Sequence, residues 1–345
     1  MKKTIVALLI LLLFSTTNAQ NKIKGVVLDK SHQNDTITFH NGFNVPLYYE
    51  KPVITSKINN GDFIINETFK YPQMFYYGLK NLPIKNFVSF FDSGTKKIVI
   101  DTSFVGSNVI GDTQLEYKNK FTPYISKNNP KYIENDIFPS ENKVFDLDLL
   151  NYTLENPDSY VSLWFLIRQF NILGYKEIYE KTLNSFSKKM KSEKLWNVLD
   201  DEFKKIQIKE NQRFPEIELK NVALQSEKFT LTESEYILVD FWFCRCKPCL
   251  EQIPELIKIY DSYKDKGFNI LAISVDRSPD VERWQKRIVE KEIPWKNYLD
   301  ENGEFSLLEK IISYPTNYLL DKNGIIIQKN IEIEELEKLL SEKLK

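Results

Sequence analysis

The chain has 345 residues, 42% of them hydrophobic, and a formal charge of −1. That length allows two or three domains with cores of their own. The near-neutral balance gives no electrostatic case for nucleic acid or an anionic membrane surface. Aromatic residues, 13% of the chain, are spread along it rather than interleaved with a basic patch, so nucleic acid is excluded as a partner.

Lys2 and Lys3 precede an apolar run over residues 5–14, and Thr17-Asn18-Ala19 offers a small-residue cleavage site. This layout reads as a secretory signal peptide over residues 1–19, its apolar core too short to span a bilayer; an uncleaved anchor is the alternative. No other long apolar segment follows. The expectation is an extracytoplasmic protein, in the periplasm or else secreted or at the surface, and not integral to the membrane after signal cleavage. The three cysteines all fall within residues 244–249, so an exported chain has no structural disulfide framework and a single site of cysteine chemistry.

Residues 22–112 read as a β-rich N-terminal domain. Short apolar runs at 24–28, 53–54, 63–65, 74–77, 87–91 and 97–100 are bounded by Asn, Asp, Gly or Pro, which suits an antiparallel sandwich or barrel. Asn60-Gly61-Asp62 marks a turn between strands. His32 and His40 lie here with no Cys or acidic cluster at ligand spacing, and are read as solvated loop residues rather than metal ligands.

From 113 to 210 the apolar period becomes helical, giving a helical connector. Helices are expected over 159–170, 175–190 and 193–206, the last with Leu195, Trp196, Leu199, Phe203 and Ile206 on one face. Packing is the simplest role for this segment, with docking of a partner or substrate the alternative.

Residues 211–345 alternate strands and helices in the order of a mixed α/β sheet covered on both faces. A leading hairpin at 217–219 and 228–231 is followed by an apolar strand at 236–243 and a helix carrying Leu250, Ile253, Leu256, Ile257 and Tyr260. The continuous apolar run at 268–275 reads as a central strand. Then come a helix over 280–290, an extended piece at 295–299 and a helix over 304–312. A hairpin at 316–320 and 325–328 turns on Asp321-Lys322-Asn323-Gly324, and a closing helix carries Ile333, Leu336, Leu339, Leu340 and Leu344.

The chemistry concentrates where the strand at 236–243 meets its helix, at Cys246-Lys247-Pro248-Cys249. A sulfur at a helix N-terminus faces unpaired N–H groups and the positive end of the macrodipole, which favour thiolate, the nucleophilic species. Arg245 and Lys247 add positive charge beside Cys246 and are expected to lower its pKa further. Pro248 has no N–H and is tolerated in the first helical turn. Asp240 is a carboxylate within an otherwise apolar strand, costly unless used or paired.

The stretch Phe241-Trp242 followed by Cys246, Pro248 and Cys249 resembles the active site of the extracytoplasmic TlpA/ResA-like thiol-disulfide oxidoreductases of the thioredoxin superfamily. The resemblance runs from about Phe214 onward. Cys244 stands where Ser or Thr is usual, and Arg245 where Trp is usual. The resemblance implies a thioredoxin-like fold and dithiol–disulfide exchange with protein substrates, Cys246 attacking as the exposed sulfur and Cys249 resolving as the buried one. It implies that Asp240 moves protons to and from Cys249; a hydrogen bond to strand backbone with no catalytic part is the alternative. It also implies a cis-proline at Pro315, with the Tyr314 backbone pairing with bound substrate. Arg245 and Lys247 then flank the substrate surface, and Glu251 either assists proton exchange or complements the helix dipole.

The reading is an α/β thioredoxin-like C-terminal domain after a β-rich domain and a helical connector, acting as an exported thiol-disulfide oxidoreductase. A reductive direction follows from the resemblance and would need a membrane electron donor. No metal or organic cofactor is called for. The alternative is a Cu(I)-binding or redox-inactive adaptor, with Cys244, Cys246 and Cys249 offering three soft ligands; a small packed residue is the simpler reading of Cys244.

Overall fold

A computed structural model describes residues 22–41, 45–79, 85–101, 107–128 and 143–345. The signal-peptide reading falls outside these residues. Among them, no helix is long and apolar enough to cross a membrane. The chain divides into two compact units: one runs to His40 and resumes at 50–115, the other comprises 41–49 and 116–345.

Among the described residues the first unit has eight strands: β1 (Ile23–Val27), β2 (Thr36–His40), β3 (Val53–Lys57), β4 (Asp62–Ile65), β5 (Gln73–Leu79), β6 (Lys85–Phe91), β7 (Lys97–Ile100) and β8 (Ser107–Ile110). They form two four-stranded sheets, in the orders β4-β1-β7-β8 and β3-β2-β5-β6. Alternating residues point inward, and Phe39 of one sheet meets Phe63 of the other with ring centroids 6.2 Å apart. The sheets are not wholly antiparallel, because β1 pairs with β7 in parallel. His40 is not a loop residue as expected: it ends β2, half-buried and stacked on Tyr76, and burial lowers its pKa. His32 sits in a short turn 3.2 Å from Asp35.

The second unit contains both the helical segment and the C-terminal sheet. Helix α1 (Asp112–Glu116), whose first four residues count with the first unit, runs through a π turn into α2 (Thr122–Asn128), where the segment begins. It continues with α3 (Lys143–Glu155), α4 (Tyr160–Leu173), α5 (Glu177–Asn184), α6 (Lys188–Lys191) and α7 (Lys194–Lys205). The single helix expected over 175–190 is broken, because Ser185 and Ser187 divert backbone groups. Ser185 donates to the Lys181 carbonyl, and the Ser187 hydroxyl accepts the Met190 N–H to start α6. Helix α4 is buried along most of its length and is capped by Ser159, whose hydroxyl accepts the Ser162 N–H at 3.0 Å.

The sheet of this unit comprises β9 (Glu218–Asn221), β10 (Ser226–Lys228), β11 (Tyr236–Trp242), β12 (Phe268–Ser274), β13 (Lys296–Leu299), β14 (Thr316–Asp321) and β15 (Ile326–Lys329). Its order is β10-β9-β13-β12-β11-β14-β15, with β12 central as expected and parallel to both β11 and β13. Helices α8 (Lys247–Tyr263), α9 (Val281–Glu290), α10 (Glu304–Leu308) and α11 (Ile333–Lys343) complete it. Helix α10 is shorter than the sequence pattern suggests, because Lys310 turns into the left-handed region at φ 54°. Period-two alternation on β11 sends Leu238 and Trp242 into one apolar cluster and Ile237, Val239 and Phe241 into the other. Asp240 therefore shares the face of Leu238 and Trp242, which carries α8 and the cysteines.

Glu309 ties the helical segment to the sheet. It is buried, and one carboxylate oxygen accepts the N–H groups of Gln207 and Ile208, each at 2.8 Å. Gly174, after α4, makes a second tie: its φ is 76°, and a Cβ there would lie 2.2 Å from the Lys310 carbonyl oxygen. Gly174→Ala meets both an unfavourable backbone angle and a backbone clash. It should cost at least about 2 kcal/mol, read as a lower urea midpoint for the unit; an unchanged midpoint would refute this account of the packing.

Candidate active site

Strand β11 ends at Trp242, and the chain reaches α8 through Phe243-Cys244-Arg245-Cys246. The turn is held by backbone bonds: Cys246 N–H to the Phe243 carbonyl and Val275 N–H to the Trp242 carbonyl, each 2.9 Å. Cys246 is the N-cap of α8, and its sulfur accepts the Cys249 N–H at 3.2 Å. A cap position is usually filled by a Ser, Thr, Asp or Asn oxygen; here sulfur takes it, so an otherwise orphaned helix donor points at that sulfur. Pro248 sits in the first turn, as its missing N–H permits. Cys246 and Cys249 are joined by a disulfide, with Cα atoms 5.2 Å apart.

Two expectations need correction here. Cys246 is not the exposed sulfur: it is 3% exposed and Cys249 is 4% exposed. Both sit in the apolar cluster of Trp242 and Ile253, with Phe243 and Tyr314 packed against it. The flanking cations are also not free to act on Cys246. Arg245 is paired with Asp280, which also holds Arg283, and Lys247 lies 3.7 Å from Glu251 with both side chains exposed. Asp280 is thus shared between two arginines, and the Lys247–Glu251 pair is open to solvent.

The loop opposite contains a cis Tyr314–Pro315 bond. Tyr314 packs edge-on against Phe243 at 5.6 Å and donates its hydroxyl to the Ile311 carbonyl at 2.9 Å; burial pushes that hydroxyl's pKa up to about 12. A cleft of about 750 Å³ opens beside this loop. Ser313, Thr316 and Tyr318 line one part of it, and Tyr175, Lys176 and Ile178 of the helical segment line another.

Cys244 is fully buried and forms no disulfide. Its backbone N–H bonds the Asp276 carboxylate at 2.9 Å. Burial, then a thiol hydrogen bond to Asp276 and its charge, push the thiol's pKa up to about 12. Asp276 and Asp280 were missed in the sequence; the signal was a carboxylate directly after the apolar run at 268–275. Among the described residues no group of three or more His, Cys, Asp or Glu side chains is arranged to hold a metal ion. A three-sulfur Cu(I) site is not assembled, since the Cys244 thiol is engaged with Asp276 while the other two sulfurs are bonded to each other.

Asp240 lies opposite Ala272 on one side and Asn317 on the other. No hydrogen bond to strand backbone is formed by its carboxyl. Burial alone pushes its pKa from 3.8 up to about 7. An acid whose folded pKa is raised favours folding while protonated. That contribution is complete below about pH 4 and is lost as pH rises through about 7. Asp240→Asn should therefore raise stability at pH 8 by on the order of 2–4 kcal/mol and change it little at pH 4; equal effects at both pH values in thermal melts would refute the assignment.

The Redoxin family pattern matches residues 209–342. A thiol-disulfide oxidoreductase ResA of Bacillus thuringiensis subsp. konkukian is 30% identical over 125 residues, 35% of this chain and 70% of that protein. The thioredoxin-like protein YneN of Bacillus subtilis is 26% identical over 133 residues, 38% of this chain and 77% of that protein. Among solved structures, the thioredoxin domain of a thiol-disulfide oxidoreductase from Bacteroides vulgatus shares 29% identity at a TM-score of 0.36. That match covers 40% of this chain and 100% of that one. With the cysteine pair on its strand-to-helix turn, the likeness to ResA makes the chain a member of the TlpA/ResA-like thiol-disulfide oxidoreductases of the thioredoxin superfamily, an enzyme of thiol–disulfide exchange.

Proposed function

We propose that the chain is an exported enzyme that reduces disulfides in protein substrates. The layout carried with this reading is a signal peptide over 1–19, a β-rich domain over 22–112, a helical connector over 113–210 and a thioredoxin-like domain over 211–345. In the reduced enzyme the Cys246 thiolate attacks a substrate disulfide, forming a mixed disulfide and releasing one substrate thiolate. Cys249 then loses its proton to Asp240 and attacks the Cys246 sulfur. The Cys246–Cys249 disulfide forms, and the second substrate thiolate leaves with both electrons. A membrane electron donor restores the dithiol.

One observation supports this most directly: the Cys246 sulfur accepts a helix N-terminal N–H from Cys249, its own disulfide partner. Attacking and resolving sulfurs thus share one rigid turn. A group titrating near 7 can take and return a proton at neutral pH, which suits Asp240 to the second step. Substrate backbone runs beside Tyr314 and Pro315, and its continuation occupies the adjacent cleft, while Arg245 and Lys247 flank the substrate surface next to the cysteine pair.

Insulin reduction with dithiothreitol as donor tests the roles. Cys246→Ser should abolish turnover, while Cys249→Ser should accumulate a mixed disulfide visible by mass spectrometry. Asp240→Asn should slow resolution by on the order of 10²-fold. Turnover retained in Cys246→Ser would refute the assignment of the nucleophile. The direction is read from the reduction potential of the pair: a value at or below about −270 mV supports a reductase, and one near about −120 mV reverses it to an oxidase.

A further inference from the structure

The third cysteine lies two positions before Cys246, close enough in the chain to compete with Cys249. Displacement would form a Cys244–Cys246 bond, break the Cys246–Cys249 bond and pass the Cys244 proton to the departing Cys249 thiolate. It is an isomerisation with no net oxidation or reduction. It needs no further reagent, so something in the fold has to oppose it.

We propose that Asp276 is a positioning residue that keeps Cys244 out of the exchange by holding it, backbone and thiol together, at the end of β11. One Asp276 oxygen accepts the Cys244 N–H at 2.9 Å and the Ser274 hydroxyl at 2.7 Å. The carboxylate also takes the Cys244 thiol proton in a hydrogen bond. Asp276 is itself buried and fixed at both ends: its N–H bonds the Ser274 hydroxyl at 3.1 Å, and its carbonyl accepts the Asn302 N–H at 2.9 Å. Next to it, Asp280 fastens Arg245, the residue between the two cysteines. The stretch after β12 thus fixes Cys244 and Arg245, while Cys246 bonds to the Phe243 carbonyl and to its own helix. Thiolate is the attacking species, and a thiol that donates to a buried carboxylate is kept protonated.

The inference rests on the exchange reading but is tested separately from it. In the reduced native protein, Cys244 should be alkylated by iodoacetamide at least about 100-fold more slowly than Cys246. After equilibration in glutathione buffer, acid quenching and peptide mapping, the native chain should contain only the Cys246–Cys249 bond. Asp276→Asn should show disulfides that include Cys244 and a lower insulin-reduction rate. The double variant Asp276→Asn, Cys244→Ser should regain both the single disulfide and the rate. Equal alkylation of Cys244 and Cys246 in the native chain overturns the proposal, and this readout holds even if the variants fold poorly. So does an Asp276→Asn chain with only the Cys246–Cys249 bond, or a double variant as slow as the single one. Failure of the exchange reading itself would appear elsewhere, as a native chain that does not reduce insulin.

Discussion

One hydrogen bond organises the catalytic end of this molecule: the Cys249 N–H donated to the Cys246 sulfur at the start of α8. It makes one sulfur of the disulfide also the cap of the helix, so the cysteine pair and the local fold depend on the same contact. Everything near it serves to keep that terminus in place. Strand β11 delivers the chain to the turn, the backbone bonds of Phe243 and Trp242 fix its path, and the apolar cluster around Ile253 seats the helix behind it. Because burial surrounds both sulfurs, electrostatic support comes from fixed amide dipoles, which bulk solvent screens little.

What could be read from the sequence was local. The apolar run into Cys-Lys-Pro-Cys, the helix after it and the central strand at Phe268–Ser274 each carry their signal within a dozen residues. Features that depend on distant partners were not legible. Arg245 looks like a free cation until Asp280 is brought to it from 35 residues away. The lone carboxyl of Asp240 acquires its meaning from the strands on either side. In the first unit, Thr36-Ile37-Thr38-Phe39-His40 is not legible as an apolar run because three of its five residues are polar, although the alternation of a half-buried strand is there. The break at Ser185 to Ser187 was hidden by helical spacing on both sides of it.

Two carboxyl side chains beside the cysteine pair, Asp240 part-buried and Asp276 buried, are handled in opposite ways. Asp240 has no partner, and its pKa rises to about 7. Asp276 collects a backbone N–H and a hydroxyl, which hold it in place. One face of the sheet therefore carries a carboxyl that burial alone perturbs and a carboxylate that anchors its neighbours. The difference comes from neighbouring donors, since the two side chains are chemically the same.

The tie at Glu309 bears on how this enzyme can be cut into pieces. The stretch matched by the family pattern begins at residue 209, just after the two amides that Glu309 accepts, those of Gln207 and Ile208. A fragment designed on that border would remove both donors and the Ile208 side chain, which packs with Phe214 and Ile311 under the sheet. The structural edge of the catalytic part therefore lies upstream of its recognisable sequence, and an expression boundary placed ahead of Ile206 keeps that corner closed.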